Sequence, residues 1–132
     1  MIAQYWDETE DVLAKEIVSD WPAFLELVRR TETSSSGRGI PAIELSDDED
    51  VTCIFIRFEG GGCTVATGDS KGLAWPAGFN NGGCEYVHYD YFGSWSEVPA
   101  DLVIPREKAL AAVKSFLETG DIPPSALLLV RE

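Results

Sequence analysis

Residues 51–58, with the sequence VTCIFIRF, constrain the fold of this chain more than any other segment. Successive side chains of an extended strand point to opposite faces. One face then receives Val51, Cys53 and Phe55, and the other receives two isoleucines and a phenylalanine. Because both faces are apolar, both must be covered, and we predict a central strand that lies between two layers.

Other segments rich in β-branched and aromatic residues predict the remaining strands, at residues 2–7, 12–18, 40–45, 63–67, 84–92 and 126–130. The first two alternate poorly, so we interpret them as a short N-terminal strand or hairpin. The last is wholly apolar and is expected to lie between neighbouring strands. Residues 68–83 are rich in Gly, Asn and Pro, which predicts a long irregular loop of the kind that often carries function.

Two segments carry apolar residues at the three- and four-residue spacing of a helical face. The first begins after Ser19, a residue type that caps helices, and is expected to end near Arg30. A loop rich in Ser and Gly is predicted at residues 31–39. The second helix is expected to begin at Pro105 and to end at Gly120, which suits a left-handed cap.

The order of these elements predicts an α+β fold, in which two helices pack against an antiparallel-rich sheet in a single domain over residues 1–132. A chain of 132 residues, 45% of them apolar, can fill one core but not two. No apolar run approaches the roughly 20 residues that cross a bilayer, and no secretory signal is visible. The odd number of cysteines fits a reducing compartment, so we expect a cytoplasmic protein.

Acidic residues outnumber basic ones by 23 to 10, which gives a net charge of −13 with the single histidine neutral. Nucleic acids and anionic membranes repel such a chain, and we exclude both as partners. The same excess favours association with a protein that has a basic surface, at rates that fall as the salt concentration rises.

The sequence contains no recognisable catalytic or metal-binding motif. The four soft metal ligands are His88 and the cysteines at 53, 63 and 84. Cys84 and His88 have the spacing closest to a zinc pair, but in a strand they would stand about 13 Å apart at ~3.3 Å per residue. No phosphate-binding loop and no zinc-deaminase motif are present. We therefore predict no metal, no cofactor and no enzymatic activity.

Acidic and aromatic residues together indicate a surface that binds a protein. Tyrosine and tryptophan supply anchoring area at interfaces, and carboxylates complement a basic partner. The acidic cluster near the N-terminus consists of Asp7, Glu8, Glu10 and Asp11, and we interpret it as a solvated turn. The predicted partner-binding residues are Asp47, Asp48, Asp50, Glu85, Tyr86, Tyr89, Asp90, Tyr91, Trp95 and Glu97.

Residues 86–128 contain, in order, an aromatic segment that ends in glycine, an amphipathic helix and a pair of prolines. These features stand at Tyr89 to Gly93, Val98-Pro99, Val103-Ile104-Pro105, Ala109 to Val113, Phe116-Leu117, Thr119-Gly120 and Pro123-Pro124. In these features the chain resembles the immunity-protein family of bacterial polymorphic toxin and contact-dependent growth inhibition systems, whose best-known partners are deaminase toxins.

The resemblance implies a small antitoxin that binds a cognate toxin domain in the cytoplasm. It also implies that the toxin acts on nucleic acid through a basic cleft, and that the antitoxin occludes the active site or the substrate cleft. Two other hypotheses stay open. One is an enzyme with Cys63 or Cys84 as its nucleophile. The other is a non-enzymatic adaptor or small-ligand module with an aromatic site around the 68–83 loop, formed by Tyr86, Tyr89, Tyr91 and Trp95.

Overall fold

The computed structural model describes residues 1–7, 12–34, 42–47, 51–58, 62–69, 72–76, 86–91, 94–127 and 129–131. The strands are β1 (Ile2–Asp7), β2 (Val12–Ile17), β3 (Ala42–Ser46), β4 (Thr52–Arg57), β5 (Cys63–Asp69), β6 (Gly72–Pro76), β7 (Tyr86–Tyr91), β8 (Ser94–Pro99) and β9 (Leu129–Arg131). The helices are α1 (Trp21–Ser34) and α2 (Arg106–Thr119), and a short 3₁₀ turn spans Ala100–Leu102.

A seven-stranded sheet with the order β2-β1-β3-β4-β5-β6-β9 organises the molecule, and β7 and β8 form a separate hairpin. Every strand pair of both sheets is antiparallel. The predicted α+β fold, with two helices on an antiparallel-rich sheet, is confirmed.

Strand β4 is the middle strand of the seven and is covered on both faces, as its sequence predicts. On one face Cys53 and Phe55 pack in a core with the apolar residues of both helices. Phe24 of α1 meets Phe55 edge-on, with ring centroids 5.9 Å apart. On the other face Ile54 and Ile56 pack in a second cluster beneath the β7–β8 hairpin.

Helix α1 is longer than predicted and is capped by a different residue. Asp20, not Ser19, caps the helix, because the Asp20 Oδ1 atom accepts a hydrogen bond of 2.9 Å from the backbone N–H of Ala23. The helix continues to Ser34, so the loop predicted at 31–39 is wrong for its first four residues. The rest of that loop lies outside the described residues.

Helix α2 ends as its sequence predicts but begins at Arg106, one residue after the predicted first position, Pro105. Pro105 occupies the N-cap position, and its carbonyl oxygen accepts hydrogen bonds from Lys108 and Ala109. Gly120 has the left-handed conformation, with φ of 81°, and its N–H donates to the carbonyl oxygen of Phe116 at 2.7 Å. Neither described helix is long and apolar enough to cross a membrane.

Three strand predictions need correction. Residues 72–76, predicted as part of a long loop, form β6, and a Cβ atom at Gly68 would come within 2.1 Å of the Gly72 carbonyl oxygen. The link predicted after Gly93 contains β8. The C-terminal strand β9 lies at an edge of the sheet, not between neighbours. The part of the predicted loop at 77–83 lies outside the described residues.

Candidate functional site

The β7–β8 hairpin carries most of the predicted aromatic and acidic residues. Its register pairs Tyr86 with Pro99, Val87 with Val98, His88 with Glu97, Tyr89 with Ser96, Asp90 with Trp95, and Tyr91 with Ser94. Val98 is buried and Val87 is half-buried, and both pack in the cluster beneath the hairpin. Tyr86 is 52% exposed and Glu97 is exposed, so the opposite face of the hairpin is open to solvent.

Strand alternation divides the predicted residues of the hairpin between its two faces. Positions 90 and 95 are paired with each other in the register. In the alternation of the two strands they have the same parity as Tyr86 and Glu97, which are exposed. Positions 89 and 91 have the parity of Val87, which faces the sheet. Asp90 and Trp95 therefore occupy register positions of one parity, and Tyr89 and Tyr91 occupy positions of the other.

Asp47 stands where β3 ends, and it closes the connection to β4. Its Oδ1 atom accepts a hydrogen bond of 3.0 Å from the backbone N–H of Val51, and its own N–H donates to the Val51 carbonyl oxygen at 3.1 Å. The carboxylate thus has a structural task in addition to its charge. Three of the other predicted acidic residues, Asp48, Asp50 and Glu85, lie outside the described residues.

Asp47 and the hairpin belong to elements that touch, because β7 lies against β3. Asp47 directly follows the last residue of β3. The described part of the predicted site therefore comes from two neighbouring elements, although the chain between them runs through β4, β5 and β6.

Sequence reasoning missed an exposed apolar strip on the β1–β2 hairpin, which consists of Ile2, Leu13 and Ile17. These side chains are 49%, 43% and 77% exposed. Ile2 is paired with Ile17, and Leu13 is paired with Trp6, so all of them share one face of the sheet. The sequence feature that could have revealed the strip is the poor alternation of residues 2–7 and 12–18. It arises because apolar residues also occupy the solvent-exposed face of this hairpin.

The surroundings of the described cysteines do not activate a thiol. Cys53 and Cys63 are buried and free, and burial raises the pKa of each thiol. A raised pKa disfavours the thiolate that a nucleophile needs, which weakens the enzyme hypothesis for Cys63. Cys84 lies outside the described residues, and within the described part of the chain no group of three or more potential ligands could hold a metal ion.

One cavity of about 180 Å³ opens between β5, β6 and the C-terminal end of α2. It is lined by Val51, Thr67, Gly68, Asp69, Ala74, Phe116, Gly120 and Asp121. Tyr86, the one aromatic residue of the small-ligand hypothesis whose side chain is described, does not line this cavity.

Comparison with known families supports the immunity hypothesis. The family model of the immunity protein Imm1 matches residues 3–130, from the second residue of β1 to the second residue of β9. The chain belongs to the Imm1 immunity protein family. No curated protein matches its sequence.

Membership in the Imm1 family confirms the resemblance to immunity proteins that residues 86–128 predicted, and extends it to the whole sheet. An immunity protein protects by binding a cognate toxin, so the partner of this Imm1 protein is a toxin.

Proposed function

We propose that this Imm1 protein neutralises a toxin domain that acts on nucleic acid, by covering the active site or the substrate cleft of that domain. The protein does so in the cytoplasm as a single domain of 132 residues, and catalyses no reaction itself. Family membership supports the immunity role. The net charge of −13 supports the class of toxin, because an enzyme that binds the phosphate backbone presents basic residues.

The charge density of the chain is sufficient to steer such a partner. The accessible surface is 7278 Å², so an excess of 13 negative charges corresponds to about one per 560 Å². Fields of this kind raise association rates by roughly 10- to 1,000-fold, and salt reduces the effect. An acidic antitoxin thereby competes with nucleic acid for the same basic cleft.

The contact residues of this proposal are those that combine charge with aromatic area. Tyr86 and Glu97 are exposed on the outward face of the β7–β8 hairpin, and Asp47 stands beside β3, which the hairpin touches. Tyrosine and tryptophan dominate binding energy at many interfaces, whereas carboxylates mainly raise the association rate. The proposed surface also includes Asp48, Asp50, Glu85, Tyr89, Asp90, Tyr91 and Trp95.

Toxicity rescue tests the immunity role and the class of toxin together. The toxin domain encoded beside this chain is expressed in a sensitive host, with and without the immunity protein. We expect the toxin alone to degrade or modify nucleic acid and stop growth, and the pair to grow normally. Continued killing in the presence of the chain would refute the role, and a toxin without action on nucleic acid would refute the proposed mechanism.

The substitution Asp47→Asn isolates the electrostatic part of the proposal. Asparagine keeps an oxygen that can accept from the Val51 N–H, so the turn is retained while one negative charge is lost. Asp121→Asn is the matched control, because Asp121 is exposed beyond the end of α2 and carries the same charge.

We expect Asp47→Asn to lower the association rate with the toxin about two- to threefold at low salt, and Asp121→Asn to leave it nearly unchanged. The difference should disappear at high salt, where the Debye length is shorter. Stopped-flow or surface-based kinetics measure both rates. Equal association rates for the two variants at low salt would show that the β3–β4 turn does not steer the toxin.

A further inference from the structure

Strand β2 forms an open edge of the seven-stranded sheet. It is the first strand in the sheet order, and among the described residues it pairs with β1 only. Its six residues pair with β1 in an unbroken register, from Asp7 opposite Val12 to Ile2 opposite Ile17. The opposite edge is β9, which has only three residues. The β2 edge therefore offers the longer template for another strand.

The register shows which backbone groups of β2 point outward. Met1 and Val18 exchange two hydrogen bonds, from the Val18 N–H to the Met1 carbonyl at 2.8 Å and from the Met1 amino group to the Val18 carbonyl at 3.1 Å. Bonded and non-bonded pairs alternate along an antiparallel ladder. Counting from this pair, the N–H and C=O groups of Leu13, Lys15 and Ile17 point away from β1.

The usual protection of an edge strand is weak on β2. Natural edge strands are blunted by proline, bulges or several charged side chains. Strand β2 has no proline and no bulge, and Lys15 is its one exposed charged residue, since its acid Glu16 is engaged by Arg30 and by the Tyr5 hydroxyl. Val12, Leu13 and Ile17 are 50%, 43% and 77% exposed, which is unfavourable in water unless a partner covers them.

The apolar strip continues a sheet face that is covered elsewhere. The cluster beneath the β7–β8 hairpin contains residues of β3, β4, β5 and β6, and none of β1 or β2. Ile2, Leu13 and Ile17 extend the same face beyond the hairpin to the β2 edge. A strand added at this edge can therefore place alternate apolar side chains beside the strip while its backbone bonds to β2.

Charge determines which occupant suits this edge. Two copies of the chain would each bring a net charge of −13, so the charges oppose self-association. The register places Ile17, Ile2 and Ser46 in one row, so Asp47 stands at the same end of the sheet as Ile17. At the other end, β1 ends at Asp7. Lys15 stands between Leu13 and Ile17 on the same face, so the strip is apolar at its two ends and basic in its centre. With Asp47 at one end and Asp7 at the other, the edge matches a segment with apolar residues beside Leu13 and Ile17 and basic residues on its flanks.

We infer that an extended segment of the toxin, with alternating apolar residues and flanking lysines or arginines, docks on β2 as an eighth strand of the sheet. The inference rests on the proposed function and deepens it by naming the contact. The toxin is then held by backbone hydrogen bonds at Leu13, Lys15 and Ile17, in addition to the acidic and aromatic surface.

The substitutions Lys15→Pro and Lys15→Ala separate the backbone of β2 from its side chain. Proline removes an outward N–H and leaves the bonds to β1 in place, whereas alanine keeps the N–H and removes only the lysine side chain. Binding is measured by calorimetry with the toxin domain encoded beside this chain, after its catalytic centre has been inactivated. We expect Lys15→Pro to weaken binding at least tenfold and Lys15→Ala to change it less than threefold.

A second pair of variants covers the case in which Lys15→Pro disturbs the hairpin. Ile17→Lys adds a positive charge to the strip and leaves the backbone intact, and Leu25→Lys makes a similar change on α1, where Leu25 is 40% exposed. We expect Ile17→Lys to weaken toxin binding at least tenfold and Leu25→Lys to leave it within threefold of the wild type. Circular dichroism establishes that each variant is folded.

Amide hydrogen exchange provides a readout that only strand addition produces. The outward amides of Leu13, Lys15 and Ile17 should exchange rapidly in the free protein and at least tenfold more slowly in the complex. The amides of Ala14 and Glu16 should be protected in both states, because they bond to β1.

Three outcomes would overturn the inference. If the toxin binds both Lys15→Pro and Ile17→Lys with wild-type affinity, the edge is not the contact, and the proposed immunity function stands without it. If sedimentation shows a dimer that Ile17→Lys dissociates without changing toxin affinity, the edge belongs to a second copy. If the wild-type chain does not bind the toxin at all, the proposed function fails and the inference fails with it.

Discussion

Replacing Thr64 by valine should make the protein more stable. Thr64 is fully buried in β5, opposite Ile56, and its Oγ1 atom has no hydrogen-bond partner among the described residues. A buried hydroxyl without a partner costs roughly 1–3 kcal/mol, because it loses its hydrogen bonds to water on folding. Valine has nearly the same shape and replaces the hydroxyl by a methyl group that gains from burial. We expect the free energy of unfolding to rise by about 1–2 kcal/mol.

Thr52→Val is the matched control, because the Thr52 hydroxyl has a partner. Its Oγ1 atom lies 3.4 Å from the Ser46 Oγ atom, so valine at this position removes a hydrogen bond and should cost about 0.5–1 kcal/mol. Urea unfolding gives both free energies, and Thr64→Val should raise the Tm by roughly 3–6 °C. A loss of stability in Thr64→Val would show that the buried hydroxyl is satisfied, and the reasoning would then be wrong.

Two further predictions concern the helix end and the buried thiols. Gly120→Ala should destabilise the fold by about 1–2 kcal/mol in thermal unfolding, because Gly120 is left-handed with φ of 81°; no loss would contradict a left-handed C-cap. Burial raises the pKa of the Cys53 and Cys63 thiols above the ~8.5 of an exposed thiol, so the folded chain retains protons that the unfolded chain releases. The free energy of unfolding should therefore be constant below about pH 8 and decrease as the pH rises further. In urea unfolding, the decrease should be smaller in Cys53→Ala than in the wild type. An identical decrease would exclude Cys53 as its source.

The elements that the sequence predicts well are those whose pattern depends on burial. Strand β4 is apolar on both faces because it has a layer on each side, and α2 has a clear apolar face because one face lies on the sheet. Gly120 ends α2 as expected, since a left-handed residue requires a particular amino acid. In these places the local sequence and the tertiary structure agree.

The elements that the sequence predicts poorly are those whose neighbours determine their structure. Strand β6 begins at Gly72 and ends at Pro76, and both residue types are typical of loops. These residues form a strand because they pair with β5. The predicted C-terminal strand at residues 126–130 is apolar, yet β9 begins only at Leu129 and lies at an edge, because its position depends on β6 and not on its own composition. The β1–β2 hairpin alternates poorly since part of it is uncovered.

The candidate site shows the same division. The aromatic and acidic residues of 86–97 were predicted to form one surface because they are close in the chain. The β7–β8 register shows that they belong to one hairpin. No sequence pattern indicated which face of the hairpin is outward, since that depends on the burial of Val98. The apolar strip was missed because its residues come from two strands, and exposed apolar residues have no distinctive spacing.

The residues of β2 contribute nothing to either hydrophobic cluster, as far as the described residues show. Substitutions on an exposed strand of this kind usually change stability by less than about 0.5 kcal/mol. Mutations can therefore accumulate in Val12–Ile17 while the fold is preserved. Under the proposed docking on β2, a lineage that meets a new toxin variant can adapt by altering this one strand, so related immunity proteins should diverge fastest here and retain a common interior.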